Sequence, residues 1–291
     1  MALIQLAIDS VALGAAYALV ALGFVLVLNA TGAVNFAHGD LVMAGGFVTV
    51  ALAHVMALPG LVLLPVVILT MAALGLVFSA LAYFPLMRRP PAAVYVSTIA
   101  LGIIIQNTAN AIYGSEPRST PALVADRVFH IGDGVSIGEQ SLAIVLVAAA
   151  AILAQSLLFS RTRLGRALRA TAEDREMARA IGIPVNRMIA LTFAIASALA
   201  GGAGLLLSHK YFVEPTRGTD FIMTAYVAVV IGGWGSIAGA VVGALLVAAF
   251  QAIVSAYVSY AAATVLLYAT VLAILFLRPQ GLFGERAQRR V

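Results

Sequence analysis

Nine apolar stretches, at 4–28, 39–57, 61–84, 92–113, 140–159, 188–208, 222–235, 237–257 and 261–278, occupy most of this 291-residue chain. In hydrocarbon every backbone polar group must be satisfied within the chain itself, which leaves helices as the spanning form for runs of this length, and about 20 apolar residues make one span. The sequence therefore predicts an all-α fold, a polytopic helical membrane protein with eight or nine transmembrane segments, some broken or re-entrant. The connections are too short for a sizeable soluble domain, so one membrane domain over 1–291 is expected. Hydrophobic residues make up 63% and charged residues 10%, against roughly 25% charged in ordinary soluble domains. The first apolar run lacks a basic flank and is too long for a cleaved signal, so it reads as a retained span.

Charge placement gives the chain a direction. Arg88 and Arg89, seven arginines between 160 and 187, and Arg278, Arg286, Arg289 and Arg290 are 13 of the 17 basic residues, and they fall on alternate sides of the intervening spans. All three clusters can be cytoplasmic at once, as the bias of arginine toward that side requires. The connections 114–139 and 209–221 hold Arg118, Arg127, Lys210 and Arg217 against Glu116, Asp126, Asp133, Glu139, Glu214 and Asp220, and they belong outside. Nine crossings would place the start of the chain outside and its end inside. A re-entrant 222–235, short for a span, would flip that parity. The net charge of +5 is explained by these flanks, so no nucleic-acid partner is expected. With no cysteine there is no disulfide framework and no thiolate metal site; neither a metal nor a cofactor is expected.

The segment Ser160 to Arg187 is soluble in character although it lies between two membrane runs. Thr171 followed by Asp174 reads as a capping box opening a helix over 172–181. Glu173, Asp174 and Glu176 suit its positive end and Arg179 its negative end, while Gly182 and Pro184 supply the stop. Ala172, Ala178 and Ala180 keep the surface low and leave Met177 and Ile181 as apolar knobs, a shape suited to a groove on another protein. A plain solvated connector fits the local chemistry equally well.

Three motifs carry a resemblance: GAVNFAHGDLVMAGG at 32–46, GRALRATAEDREMARAIGIPVNRMIALTFAIASALAGGAG at 165–204, and VVIGGWGSIAGAVVGALL at 229–246. Together and in this order, over most of the chain, they resemble the permease subunits of branched-chain amino-acid ABC importers. The resemblance implies a multi-pass subunit of the bacterial cytoplasmic (inner) membrane. It would pair with a second, similar permease, bind two cytoplasmic ATPase subunits, and receive substrate from an extracytoplasmic binding protein. The stretch 165–184 would be the counterpart of the loop that contacts the ATPase, so Thr171, Ala172, Glu173, Asp174, Ala178 and Gly182 become coupling candidates. The chain shows Ala172-Glu173-Asp174 where a strict Glu-Ala-Ala would stand, so the loop's role and Gly182 carry over rather than every residue. A phosphate-binding loop needs a lysine after glycine. Lys210, the one lysine, follows His209, so this chain is not expected to be an enzyme, and ATP hydrolysis belongs to partners.

Polar residues inside the spans are the candidates for a substrate path, since such groups are costly in hydrocarbon and tend to be functional. Asn35 and His38 lie in NFAHGD, where satisfying a turn between spans is a competing explanation. Gln106 and Asn110 are one helical turn apart, and Gln251 lies within the eighth apolar run. These amides suit either a passing zwitterion or interhelical hydrogen bonding. Gly235, Gly239 and Gly243 form small-xxx-small repeats suited to close helix packing, behind a break at Gly232, Gly233 and Trp234. Two other classes remain: an ion-coupled secondary transporter of small polar solutes, for which Asp40 and, near a span end, Asp9 are the available ionisable groups, and a membrane hydrolase, for which no nucleophile or metal motif is present.

Overall fold

A computed structural model describes residues 2–56, 58–124, 127–131, 135–278 and 280–284. Arg286, Arg289 and Arg290 of the terminal basic cluster, and Asp126 and Asp133 of the connection 114–139, lie outside the described residues. The helices are α1 (Ala2–Thr31), α2 (His38–Met56), α3 (Gly60–Phe78), α4 (Pro91–Tyr113), α5 (Glu139–Arg161), α6 (Arg163–Glu173), α7 (Arg175–Ala180), α8 (Val185–Tyr211), α9 (Gly218–Gly232), α10 (Ile237–Tyr257) and α11 (Tyr260–Leu277). Eight of them are long and apolar enough to cross a membrane, and the remaining apolar run, the seventh at 222–235, falls in the 15-residue α9. A small antiparallel hairpin, β1 (Val128–Ile131) with β2 (Val135–Gly138), pairs Val128 with Gly138. It lies in a connection, where its half-polar strands need no membrane burial, and the architecture is a polytopic helical bundle.

Contacts between helix ends settle how many times the chain crosses the bundle. On one face, Asn29 near the end of α1 donates its Nδ2 hydrogen to the Gly235 carbonyl between α9 and α10, at 2.8 Å. Arg175 at the start of α7 donates to the hydroxyl of Tyr83, just past α3, at 3.0 Å. The amides of Leu282 and Phe283, beyond α11, donate to the Ile231 and Gly232 carbonyls at the end of α9. On the opposite face Lys210, at the end of α8, pairs with Asp9 of α1 at 3.5 Å, and Arg118 and Val213 exchange backbone hydrogen bonds. Nine alternating passages satisfy these contacts. The segment 212–217 and α9 together make up one of them, so α1 begins on the face opposite to the one where α11 ends.

Two helices begin inside the bundle. His38 sits against Val20, with its Nε2 3.0 Å from that carbonyl, and Val20 is eleven residues, about 16 Å of helix rise, from the end of α1. The segment 32–37 therefore runs back into the interior before α2 starts. There α2 meets the start of α9 with almost no separation: a Cβ on Gly39 would lie 2.0 Å from the Gly218 carbonyl oxygen. Without a hydrophobic force between helices in lipid, such backbone approach and the dispersion contacts that it permits are what hold spans together. Gly239 and Gly243 of α10 likewise abut the Gly232 and Ala228 carbonyls of α9. Gly235 does not share that seam. It has φ +81° in the turn before α10, because the chain has to reverse there and the helix starts only at Ile237, behind a Ser236 cap that accepts from the Gly239 amide.

Candidate functional site

The junction of α2, α4 and α9 holds a buried carboxylate. Asp40 is 6% exposed, and its Oδ1 accepts a hydrogen bond from Gln106 Nε2 of α4 at 2.7 Å. A Cβ at Gly102 of α4 would stand 2.3 Å from Asp40 Oδ2, and one at Gly218 of α9 would stand 2.0 Å from Oδ1. Glycine at both positions is what makes room for the side chain. No cation pairs with Asp40 among the described residues. Two helix N-termini are close by instead, that of α2, whose first turn contains Asp40, and that of α9, which opens at Gly218. Their dipoles favour negative charge.

The polar candidates of the spans take different places. Gln106 belongs to this junction. Asn110 is exposed one turn further along α4, as is Asn107, whose side chain donates to the Ile103 carbonyl. His38 is fully buried beneath the edge of Phe24 and close to Gly23, where a Cβ would come within 2.8 Å of Nε2; its contacts fasten α2 to α1. Asn35 is buried, with Oδ1 accepting from the Ala37 amide in the turn before α2, and its Nδ2 has no partner. Gln251 lies half-buried in α10. Asp40, which the sequence offered only as an ionisable group for ion coupling, is the residue that Gln106 engages. The signal available in the sequence was a carboxylate within a long apolar run; its amide partner is 66 positions away. An apolar cleft of about 350 Å³ opens between α2, α3 and α4, lined by Leu41, Phe47, Leu74, Phe78, Ile105 and Tyr113 among others; neither Asp40 nor Gln106 lines it.

The arginine-rich segment forms two helices rather than one. Thr171 is not an N-cap. It lies inside α6, 1% exposed, and its hydroxyl donates to the Ala167 carbonyl at 2.9 Å, since Thr162 has already capped that helix through the Gly165 amide. The cap of α7 is Asp174, whose Oδ1 accepts from the amides of Glu176 and Met177 at 2.8 and 2.9 Å. At the other end Gly182 has φ +85°. Its amide donates to Arg179 and that of Ile183 donates to Ala178, the paired closure of a Schellman motif. Ala178 is buried, and Ala172 borders a cavity beside Asn29, so these two face the bundle. Glu173 and Asp174 are exposed, and the outward surface is crowned by Met177 at 65% and Ile181 at 73% exposure. Arg175 ties α7 to Tyr83, which sits in a π-helical turn, Ser79–Tyr83, that continues α3. The Tyr83 ring lies 5.6 Å from that of Phe193 in α8. One buried ring thus connects α7, through Arg175, with the end of α3 and with α8.

The arrangement is that of a multi-pass helical membrane protein, with a polar junction in the bundle interior and a capped helix pair at one face. The chain belongs to the family described as branched-chain amino acid transport system, permease component, whose model matches residues 6–276. It is similar to the high-affinity branched-chain amino acid transport system permease protein LivH of Escherichia coli K12, with 34% identity over 300 residues that cover 99% of this chain and 97% of the relative. It is also similar to the permease protein BraD of the corresponding system in Pseudomonas aeruginosa, at 32% identity with 99% and 98% covered. A more distant relative is the permease protein LivM of E. coli K12, at 26% identity with 94% of this chain and 69% of the relative covered.

Proposed function

We propose that this chain is the transmembrane permease subunit of an ATP-driven importer of branched-chain or related amino acids, and that it forms half of an alternating-access pathway. The observation that carries the reading is α7, a six-residue helix closed at both ends and held at the membrane face with two large apolar side chains, Met177 and Ile181, turned outward. A bare connector gains nothing from exposing these groups, whereas a groove on a partner ATPase would bury them. With α7 on the cytoplasmic face, the arginines of 160–187 follow the orientation rule, and the connection 114–139 and the end of α8 at 209–211 face the outside, where a binding protein would deliver substrate; the rest of the 209–221 stretch, expected outside from its charges, instead enters the bundle. Likeness to both LivH and LivM supports a second, related permease as partner, with two ATPase subunits beneath the pair.

The test is a reconstitution in proteoliposomes of this chain with a second permease, ATPase subunits and a binding protein of the same family of importers. The expected result is leucine-stimulated ATP hydrolysis coupled to leucine uptake. Uptake driven by an ion gradient in the absence of ATPase subunits would instead establish the secondary-transporter reading. Orientation is checked on intact cells with single cysteines at Ser115 and Ser160, both exposed, in a chain without native cysteine. An impermeant thiol reagent should label the first and not the second.

A further inference from the structure

Asp40 is a charge-bearing group that neither the coupling helix nor the helix seams use. Its surroundings are inside the bundle. Gln106 is fifteen residues from one end of α4 and seven from the other, about 22 and 10 Å of helix rise. A carboxylate at such depth is expensive unless a charge or strong donors compensate it. Here the compensation consists of one neutral amide and two helix N-termini, which favour the charge without neutralising it. Among the described residues no basic side chain pairs with Asp40, so none has to be displaced before a mobile cation can pair. The surface next to the junction carries polar side chains beside apolar ones such as Ile103: Asn107 and Asn110 are exposed on α4, and Thr219 and Asp220 are exposed on the first turn of α9. Side chains of this kind do not face acyl chains, so this flank meets water or another subunit.

We infer that the Asp40 carboxylate, with Gln106 as its neutral partner, is the station at which the α-ammonium group of an amino-acid zwitterion crosses the middle of this permease. The inference rests on the amino-acid importer reading above. An ammonium group offers three donors to a carboxylate oxygen and an amide oxygen. Release is feasible because the amide and the helix ends retain the carboxylate once the cation moves on. Gly102 and Gly218 fix the width of the station: in the closed arrangement they touch Asp40 from both sides, so access requires α4 and α9 to separate.

The experiment uses the reconstituted complex. Asp40→Asn keeps the shape and the acceptor for Gln106 and removes the charge. Leucine uptake should fall by roughly tenfold or more, the scale of one charge-assisted hydrogen bond, while the assembled complex is recovered at wild-type yield. Uptake within twofold of wild type overturns the assignment, as does failure of Asp40→Asn to assemble, since the carboxylate would then be structural. A second measurement needs no substrate, so it tests the station even if the wild-type complex does not import leucine and the importer reading itself fails. In Gln106→Cys, a cationic methanethiosulfonate ethylammonium reagent should react about tenfold faster than the anionic ethylsulfonate, relative to their rates with a free thiol. Adding Asp40→Asn should abolish that preference. Absence of the preference, or of any modification, rejects the station.

Discussion

The interior junction at Asp40 and the face helix α7 are both built around glycine, yet glycine does opposite work in the two places. At the junction, Gly39, Gly102 and Gly218 matter for the side chains that they lack, because backbone and carboxylate occupy the space where a Cβ would be. At Gly182 a Cβ would meet nothing within 4 Å, and the residue matters for its φ of +85°. In the first case a substitution is a collision that the whole bundle must absorb; in the second it is a local backbone cost. The interior of such a permease should therefore fail by misassembly, and its coupling helix by miscommunication in an assembled complex.

The largest effect should come from the junction. Gly218→Ala places a methyl group on the Asp40 carboxylate, and Gly39→Ala places one on the Gly218 carbonyl; overpacking of this kind typically costs about 1–3 kcal/mol and here has only backbone or a buried carboxylate to displace. Recovery of monodisperse complex in detergent should drop sharply for both. Wild-type recovery of Gly218→Ala would show that α9 slides freely and would dissolve the contrast between the two regions.

Next is Gly182→Val, which forces a β-branched side chain into the left-handed region and should cost of order 1–3 kcal/mol of local order. The chain should assemble with its permease partner and either bind the ATPase poorly or hydrolyse ATP without import. Asn, which tolerates that region better, should restore much of the function. Normal uptake in Gly182→Val would reduce the segment to a connector. Tyr83→Phe removes the hydroxyl that accepts from Arg175 and leaves the ring against Phe193. ATP hydrolysed per leucine imported should rise by about two- to fivefold, in line with the loss of one hydrogen bond to a charged group.

Asp174→Ala should weaken the start of α7 by about 1 kcal/mol, seen as faster amide exchange at Glu176 and Met177 and a modest loss of coupling. Thr171→Ala, by contrast, loses a hydroxyl that bonds within α6 and should leave the exchange of α7 unchanged. Arg169→Gln should have the smallest effect, within about 0.5 kcal/mol on stability, since it is exposed and caps neither helix.

Local signals in the sequence found the last turn of α7 but misplaced its start. Gly182 with Pro184 marks a stop through chemistry confined to a few residues, whereas Thr171 and Asp174 are both competent caps and only the course of the chain chooses between them. The chain spends Thr162 on capping α6, carries that helix through Thr171 into the bundle, and restarts at Asp174. Gln106 was legible as a polar residue in a span, but Asp40, Gly102 and Gly218 could not be joined to it, because their pairing depends on how α2, α4 and α9 meet.

The sequence by itself determined the class of fold and the approximate spans, because hydrophobic length acts on each segment independently of its neighbours; the proposed sidedness rests on arginine placement alone. It also located the arginine-rich helical segment and its terminal glycine, where backbone preference is local. Tertiary structure alone decided that 212–217 and α9 complete a crossing, that α2 begins inside the bundle, and that a lone carboxylate there rests on a neutral amide between two glycines. Those outcomes depend on residues far apart in the chain, on helix crossings set by the absence of side chains, and on the few ångströms by which two backbones can approach.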